Sequence, residues 1–163
     1  MKATNRYQED ERREGSLLRV SCEPGSKVLE PMLHFLNEYS KTRFVPAVAE
    51  RVSVAGYELL ANGLNYASVN SAVVFELWKR QDELQVVVSN EAIVSRVRML
   101  SGHIQKLKLG AEAVYLEELR RSVSGGFPRP MLGLARVAHE AKMTLDVVVT
   151  GDTKVTAVAS CTL

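Results

Sequence analysis

The stretch Tyr57-Glu58-Leu59-Leu60-Ala61-Asn62-Gly63-Leu64-Asn65-Tyr66-Ala67 is the most informative part of this 163-residue chain, because polar residues interrupt the apolar pattern of a helix. Asn62 follows Glu58 by four positions and Asn65 follows Asn62 by three, so a helix places all three side chains on one side. Mg²⁺ binds a few protein oxygens and completes its shell with water and phosphate. This group of side chains could therefore hold a hydrated Mg²⁺ and polarise a nucleophile.

The composition is that of one globular domain, with 46% apolar residues, 25% charged residues and a formal net charge of +2. The chain is long enough for one core but too short for two ordinary domains. The small charge and the absence of a basic tract with interleaved aromatic residues argue against a nucleic-acid partner. The charged first fifteen residues lack the apolar region of a secretory signal, and no run approaches membrane-spanning length. We expect a cytoplasmic protein with no membrane partner, and a charged, disordered tail over residues 1–15.

The cysteines and histidines form no metal or redox motif. Cys22 and Cys161 lie far apart in apolar alternating runs, where cysteine behaves as a small buried hydrophobe. The three histidines are scattered, with no carboxylate or cysteine at ligand spacing, so we expect surface or core positions for His34, His103 and His139.

Hydrophobic periodicity predicts the order β, α, α, β, β, α, α, α, β, β. The predicted strands cover residues 16–22, 72–78, 84–88, 144–149 and 155–161. The predicted helices cover about 28–39, 46–67, 93–109, 111–123 and 131–141, with a glycine- and proline-rich loop over 125–130. This order predicts that residues 16–163 form a two-layer α/β (α+β) sandwich, in which helices cover one face of a mixed, mainly antiparallel sheet.

Three elements in this order resemble the ATP-binding site of the GHKL superfamily, which has the Bergerat fold. They are the helix with Glu58-x-x-x-Asn62, the hairpin that ends at Val88-Ser89-Asn90, and the helix start at Leu132-Gly133-Leu134-Ala135. Two features resemble the SiaB-like protein kinases and the anti-sigma-factor serine kinases more narrowly. These are Val-Ser-Asn in place of Asp-x-Gly-x-Gly, and the long helical insertion before Leu132. The resemblance covers essentially residues 16–163.

The resemblance implies that ATP and Mg²⁺ bind beside the first of these helices. Glu58 would be the general base that takes a proton from the attacking hydroxyl, and Asn62 would bind Mg²⁺ through its side-chain oxygen. Phosphoryl transfer needs positioning and charge neutralisation, which such residues supply. Asn65 and Tyr66 occupy the next part of the motif, where the family often places a contact to phosphate.

The resemblance also implies contacts from the other two elements. Asn90 would contact the adenine amino group. Gly133 and Leu134 would begin a helix whose backbone N–H groups face phosphate oxygens. Thr153 approximates a Gly-Thr motif on the strand near adenine.

The lid departs from the family pattern. Met131 stands where the family has a glycine, and its side chain hinders close approach of the backbone to phosphate. Arg129 could reach an anion in place of backbone donors. Asn90 replaces a carboxylate and so loses a charge-assisted hydrogen bond to adenine.

Each of these residues also has a structural explanation. Glu58 and Asn62 could face a solvated groove in a domain that no longer binds nucleotide. Gly133 could simply start a helix, and Asn90 could cap a turn after its strand.

These features lead to two functional hypotheses. The first is an ATP- and Mg²⁺-dependent serine/threonine kinase that acts on a small regulatory protein, similar to an anti-sigma antagonist or a SiaC-type acceptor, in a bacterial partner-switching pathway. The second is a non-catalytic, pseudokinase-like module that sequesters such a partner. The resemblance also suggests a possible homodimer. The apolar residues of the first helix could serve the core, which we favour, or an interface: Met32, Phe35, Leu36 and Tyr39.

Overall fold

The computed structural model describes residues 15–25, 27–125 and 130–163, so nearly all of the predicted tail lies outside the described residues. The described part contains five strands and four helices and is an α+β fold. In chain order they are β1 (Ser16–Cys22), α1 (Leu29–Arg43), α2 (Pro46–Tyr66), β2 (Val73–Arg80), β3 (Glu83–Glu91), α3 (Val94–Gly125), α4 (Pro130–His139), β4 (Thr144–Thr150) and β5 (Lys154–Thr162).

The five strands form one sheet in the order β1-β2-β3-β5-β4. The predicted hairpins β2–β3 and β4–β5 are both present, and each strand is antiparallel to its neighbours. The prediction of a mainly antiparallel sheet is confirmed. Its mixed character is corrected, because no parallel pair occurs among the described strands. Every link between adjacent strands is either a tight hairpin or a longer connection that reverses the strand direction.

The main core lies between one face of the sheet and the helices. Phe75 and Leu77 of β2 are fully buried there with Leu36 of α1 and Leu134 of α4. Trp78 and two valines on the opposite face form a small separate cluster without a residue from any described helix: Trp78, Val87 and Val158. The helices therefore cover one face, as the sequence predicts.

The first helix contributes to the core rather than to a separate apolar surface. Met32 and Leu36 are buried in the main cluster, and Tyr39 packs against it while its hydroxyl donates to the Leu17 carbonyl at 3.1 Å. Phe35 is half exposed and stacks on Tyr39. The core interpretation is thus confirmed for Met32, Leu36 and Tyr39, but not for Phe35.

The long helix α3 bends sharply at Gly110, where φ is −177° and ψ is 78°. This bend divides α3 into two helical segments, residues 94–109 and 111–125, close to the two helices that the sequence predicts. His103 of the first segment and Glu118 of the second are both buried, and the negative charge of Glu118 acts on His103. The second segment therefore lies beside the first instead of extending away from the domain.

Cysteine positions agree with their predicted role as small hydrophobes. Cys161 is buried in the main core and Cys22 is half-buried beside it. Among the helices of the described residues, none combines the length and apolar character that crossing a membrane requires.

Gly63 permits α2 to lie directly on the sheet. A Cβ at this position would be 2.8 Å from Val88 Cγ1 and 2.9 Å from Val73 Cγ1. Both valine side chains are short, branched and buried, so neither can move away easily. This contact holds the polar side of α2 next to the end of β3.

We expect Gly63→Ala to lower the free energy of unfolding by about 1–3 kcal/mol, because overpacking a filled core costs about that much. Urea denaturation monitored by circular dichroism measures the change. Gly102→Ala is the matched control, since Gly102 is also helical but exposed, and a Cβ there meets no atom within 4 Å. Alanine at this control position should stabilise α3 by up to about 1 kcal/mol. A stabilising effect of both substitutions would contradict the close approach of α2 to the sheet.

Candidate functional site

Glu58 and Asn62 lie at the edge of the buried face of α2. Glu58 and Asn62 are partly buried one helical turn apart, while Leu59 and Leu60 are 1% exposed. The helix thus gives its apolar stripe to the core and leaves the carboxylate and the carboxamide facing the region between α2, α3 and α4.

A small cavity lies between α2, the end of β3, the first segment of α3 and the start of α4. Its polar residues are Asn62, Tyr66, Asn90 and Arg96. The remaining lining is apolar and comes from five elements: Leu59, Val88, Val97, Met99, Leu100, Met131, Leu134, Val155 and Ala157, with Gly63 and Ala92. Apolar walls with a few polar groups are typical of small-molecule sites. The lining therefore has the chemical character of a small-molecule site.

This cavity is too small for a nucleotide. It is about 40 Å³, whereas sites for drug-sized ligands are about 300–1,000 Å³. Met99, Leu100 and Met131 are among the side chains that line this small volume. The site is therefore closed to a nucleotide, which could enter only if lining side chains moved.

A hydrogen bond holds the start of α4 onto α3. His103 Nε2 lies 3.1 Å from the Met131 carbonyl oxygen, which can only accept, so this ring nitrogen is the donor. Burial lowers the pKa of His103 below its ordinary value, although the bond to Met131 opposes the shift. A neutral imidazole with its proton on Nε2 accounts for both observations. Met131 is thus fixed at the site through its backbone while its side chain lines the cavity.

The Glu58 carboxylate lies outside the cavity lining and binds α4. Arg136 Nη1 donates to Glu58 Oε1 at 2.7 Å, and the Glu58 side chain is only 12% exposed. Gly133 lies against the other carboxylate oxygen, so closely that a Cβ there would overlap with it. Gly133 is therefore required by the close contact between Glu58 and α4, which is a constraint beyond a simple helix start.

Arg136 is shared between two carboxylates. Its Nε donates at 3.1 Å to Oε2 of Glu140, the residue that directly follows α4. The Tyr115 hydroxyl donates to the other Glu140 oxygen at 2.7 Å, and the Tyr115 ring stacks on His139. A continuous polar network thus links α2, α4 and the second segment of α3.

Burial raises the pKa of Glu58 above its ordinary value, and the charge and hydrogen bond of Arg136 offset only part of this increase. The pKa of Glu140 is shifted the other way. Burial alone would raise it, but hydrogen bonds from Tyr115 and Arg136 outweigh burial and lower it. The two carboxylates therefore differ, and Glu58 is the more basic of the two.

Asn90 lies where a contact to a ligand in the cavity is possible. The residue is 9% exposed, and its Nδ2 donates to the Glu91 carbonyl at 3.2 Å. Its Oδ1 is 3.8 Å from the Cβ position that an alanine at residue 63 would have. The carboxamide oxygen therefore lies beside α2, close to the cavity.

The structure brings together only part of the predicted site. Asn65 and Thr153 are exposed and do not line the cavity; their carbonyl oxygens accept from Arg96 at 3.3 Å and from the Ala92 amide at 2.9 Å. Leu134 is fully buried, and α4 begins at Pro130, three residues before Gly133, rather than at Gly133 and Leu134. Arg129 lies outside the described residues.

Two arginines complete the site without having been predicted as part of it. Arg96 lies 4.9 Å from the centre of the Tyr66 ring, and Arg136 binds Glu58. The sequence shows the four-residue spacing of Arg136 and Glu140, which suggests a helix-surface pair. It gives no signal for the contact with Glu58, which is 78 positions away.

No three His, Cys, Asp or Glu side chains come together as a metal site within ranges 15–25, 27–125 and 130–163. A Mg²⁺ ion bound at Asn62 would have the Asn62 side-chain oxygen as a protein ligand. Phosphate and water would supply the other ligands.

Removing the positive charge of Arg136 should raise the pKa of Glu58 further. We expect this from Arg136→Met, and a ¹³C NMR titration of the Glu58 carboxyl measures it. Because the pKa is higher in the folded than in the unfolded state, the contribution of Glu58 to stability is full below the unfolded pKa. It decreases as the pH rises through the folded-state pKa, and Arg136→Met should move this decrease to higher pH while making it larger.

Arg121→Met, which removes a partner of Glu117 and Glu118 only, should leave the Glu58 titration unchanged. An unchanged Glu58 pKa in Arg136→Met would contradict the ion pair.

No family model matches the chain, and no curated protein matches it. Among solved structures, a chain in the crystal structure of the SiaB–SiaC complex from Pseudomonas aeruginosa is similar to it. The TM-score is 0.66, the identity is 20%, and the alignment covers 95% of each chain. At this identity the similarity shows the fold, so the chain has the fold seen in the SiaB–SiaC structure, over nearly its whole length.

Proposed function

We propose that this chain is an ATP- and Mg²⁺-dependent serine/threonine protein kinase that phosphorylates a small partner protein in a partner-switching pathway. The observation that carries the proposal is that Asn62 and Asn90 line one cavity and Glu58 lies one helical turn from Asn62, on a fold shared with a chain of a two-protein complex. The expected location is the cytoplasm, where ATP and Mg²⁺ are available.

The residues present match the parts of Mg-ATP in chemical type. Asn90 offers a carboxamide to the edge of adenine, and the apolar lining offers faces for the ring. Asn62 would give its side-chain oxygen to Mg²⁺, and backbone N–H groups near Gly133 would bind phosphate oxygens. When bound, Mg-ATP would supply the phosphoryl group together with the cation that neutralises its charge.

Glu58 would act as the base. A Ser or Thr hydroxyl of the partner protein must lose its proton as its oxygen attacks, and a carboxylate within hydrogen-bond reach can accept that proton. Burial raises the pKa of Glu58, which makes its ionised form a stronger base. The Glu58 oxygen that binds Arg136 must first lose that contact. Arg136 retains Glu140 as a partner when this happens, so the exchange does not leave the guanidinium without a carboxylate.

A specific observation favours the second hypothesis, a non-catalytic module that binds and sequesters a partner. The cavity is closed to about 40 Å³, and Glu58 is already occupied by Arg136. A closed cavity and a paired Glu58 are also expected in a domain that does not bind nucleotide and uses these residues only for packing. The two hypotheses differ in whether ATP opens the site.

Nucleotide binding should raise the melting temperature of the protein in an Mg²⁺-dependent manner. A ligand at about 100 times its Kd stabilises the native state by about 2.7 kcal/mol. A thermal-shift titration with ATP, with and without Mg²⁺, measures this. Asn62→Ala should remove the Mg²⁺-dependent part of the shift, while Asn70→Ala should not, because Asn70 is exposed and outside the cavity lining. If no ATP concentration shifts the wild-type melting temperature, the kinase proposal is wrong.

Glu58→Gln should slow phosphoryl transfer by roughly 10²- to 10⁴-fold, the usual contribution of a general base. Transfer of radiolabelled phosphate from ATP to a purified SiaC-like protein measures this, and the ATP-induced thermal shift of the variant should be retained. Glu50→Gln, at an exposed position of the same helix, is the control and should leave the rate unchanged. Stable capture of the SiaC-like protein without ATP, combined with no phosphate transfer by the wild type, would instead establish the binding module.

A further inference from the structure

The outer face of the second α3 segment, residues 111–125, carries an apolar stripe that the described residues leave uncovered. Leu116 is 41% exposed, Leu119 is 39% exposed and Val123 is 84% exposed. The opposite side of this segment faces the domain, where Glu118 is buried and Tyr115 contacts α4. Large apolar side chains in a row on one exposed helix face indicate an interaction surface.

The stripe is bordered by charges in a symmetric arrangement. Glu112 lies four positions before Leu116 and Arg120 lies four positions after it, and both are exposed. Ala113 and Leu119 lie three positions before and after Leu116. Helical spacing places all five residues on the same face.

Because of this symmetry, the surface of one copy is complementary to the same surface of a second copy. If two copies of the segment pack antiparallel with Leu116 on the twofold axis, Leu116 meets Leu116 of the second copy. Each Ala113 then lies opposite a Leu119, and each Glu112 lies opposite an Arg120. A parallel arrangement would instead place Glu112 against Glu112 and Arg120 against Arg120, which is unfavourable.

We propose that the second segment of α3 is the surface through which two copies of this chain associate, antiparallel and centred on Leu116. An isologous contact of this kind uses the same patch on both copies. The segment has fifteen residues and is about 22 Å long at about 1.5 Å per residue. A single helix pair of this length buries less than the roughly 1,200–2,000 Å² of stable interfaces, so the dimer is weak and forms reversibly with concentration. This surface is separate from α1 and does not depend on nucleotide binding.

Sedimentation equilibrium of the full chain from micromolar to millimolar concentration tests the proposal. The wild type should show reversible dimerisation that weakens as salt increases. Leu116→Glu places two carboxylates at the twofold axis and should reduce the association constant by about tenfold or more. Val69→Glu is the control, since Val69 is 87% exposed but lies outside the stripe, and it should associate like the wild type. Thermal unfolding checks that each variant is folded.

Charge reversal tests the antiparallel register itself. Glu112→Arg alone and Arg120→Glu alone each create two like-charge pairs, so each variant should be more monomeric than the wild type. An equimolar mixture of the two variants restores both opposite-charge pairs and should form a heterodimer. The double variant Glu112→Arg/Arg120→Glu should also associate like the wild type.

Several results would overturn the proposal. One is a wild type that stays monomeric at millimolar concentration, and another is a mixture of the single variants that stays monomeric. A third is unchanged self-association in Leu116→Glu. If Leu116→Glu abolishes capture of a SiaC-like protein while the wild type is monomeric, the stripe binds a different protein and the proposal is also wrong.

Discussion

The packing of α2 on the sheet determines where the candidate site residues lie. Leu59 and Leu60 enter the core, and Gly63 lets the helix backbone approach Val73 and Val88. The helix can then rotate very little, so the side that carries Glu58 and Asn62 faces α3 and α4. The Asn90 carboxamide at the end of β3 lies beside the same turn of α2. A buried packing contact thus fixes the relative positions of the polar groups that are candidates for ligand binding.

The contact between Glu58 and Arg136 connects this arrangement to α4. The carboxylate lies against Gly133 and binds Arg136, while Arg136 also binds Glu140. Desolvation makes Glu58 more basic, but the ion pair occupies one of its oxygens. Glu58 therefore combines a raised pKa with an ion pair to Arg136, and loss of that ion pair would free its Oε1. Arg136 keeps Glu140 as a partner in that exchange, whereas the mostly buried Glu58 carboxylate would need a proton or a ligand in place of Arg136.

Much of the fold could be predicted from sequence because it depends on local patterns. The helical spacing of Glu58 and Asn62 places both side chains on one side of α2, as observed. The apolar pattern that restarts after Gly110 predicts two helical segments, and the backbone does bend there. The prediction of a mixed sheet was wrong for the described strands, because the order of elements alone does not determine the pairing of β3 with β5.

The roles of Asn65 and Thr153 remain predictions, although both side chains are exposed and outside the cavity. The partner of Glu58 and the closed state of the cavity could not be predicted. Both depend on tertiary contacts between residues far apart in the chain, such as Glu58 with Arg136 and His103 with Met131.

The most direct test of the account is a crystal structure of the protein with Mg²⁺ and a non-hydrolysable ATP analogue at saturating concentration. The account predicts adenine beside Asn90, Mg²⁺ within coordination distance of the Asn62 side-chain oxygen, and Met131 displaced from the cavity. It also predicts that Arg136 leaves Glu58 and keeps its contact with Glu140. A structure in which the cavity stays closed by Met131 and the Glu58–Arg136 ion pair is intact would contradict the account.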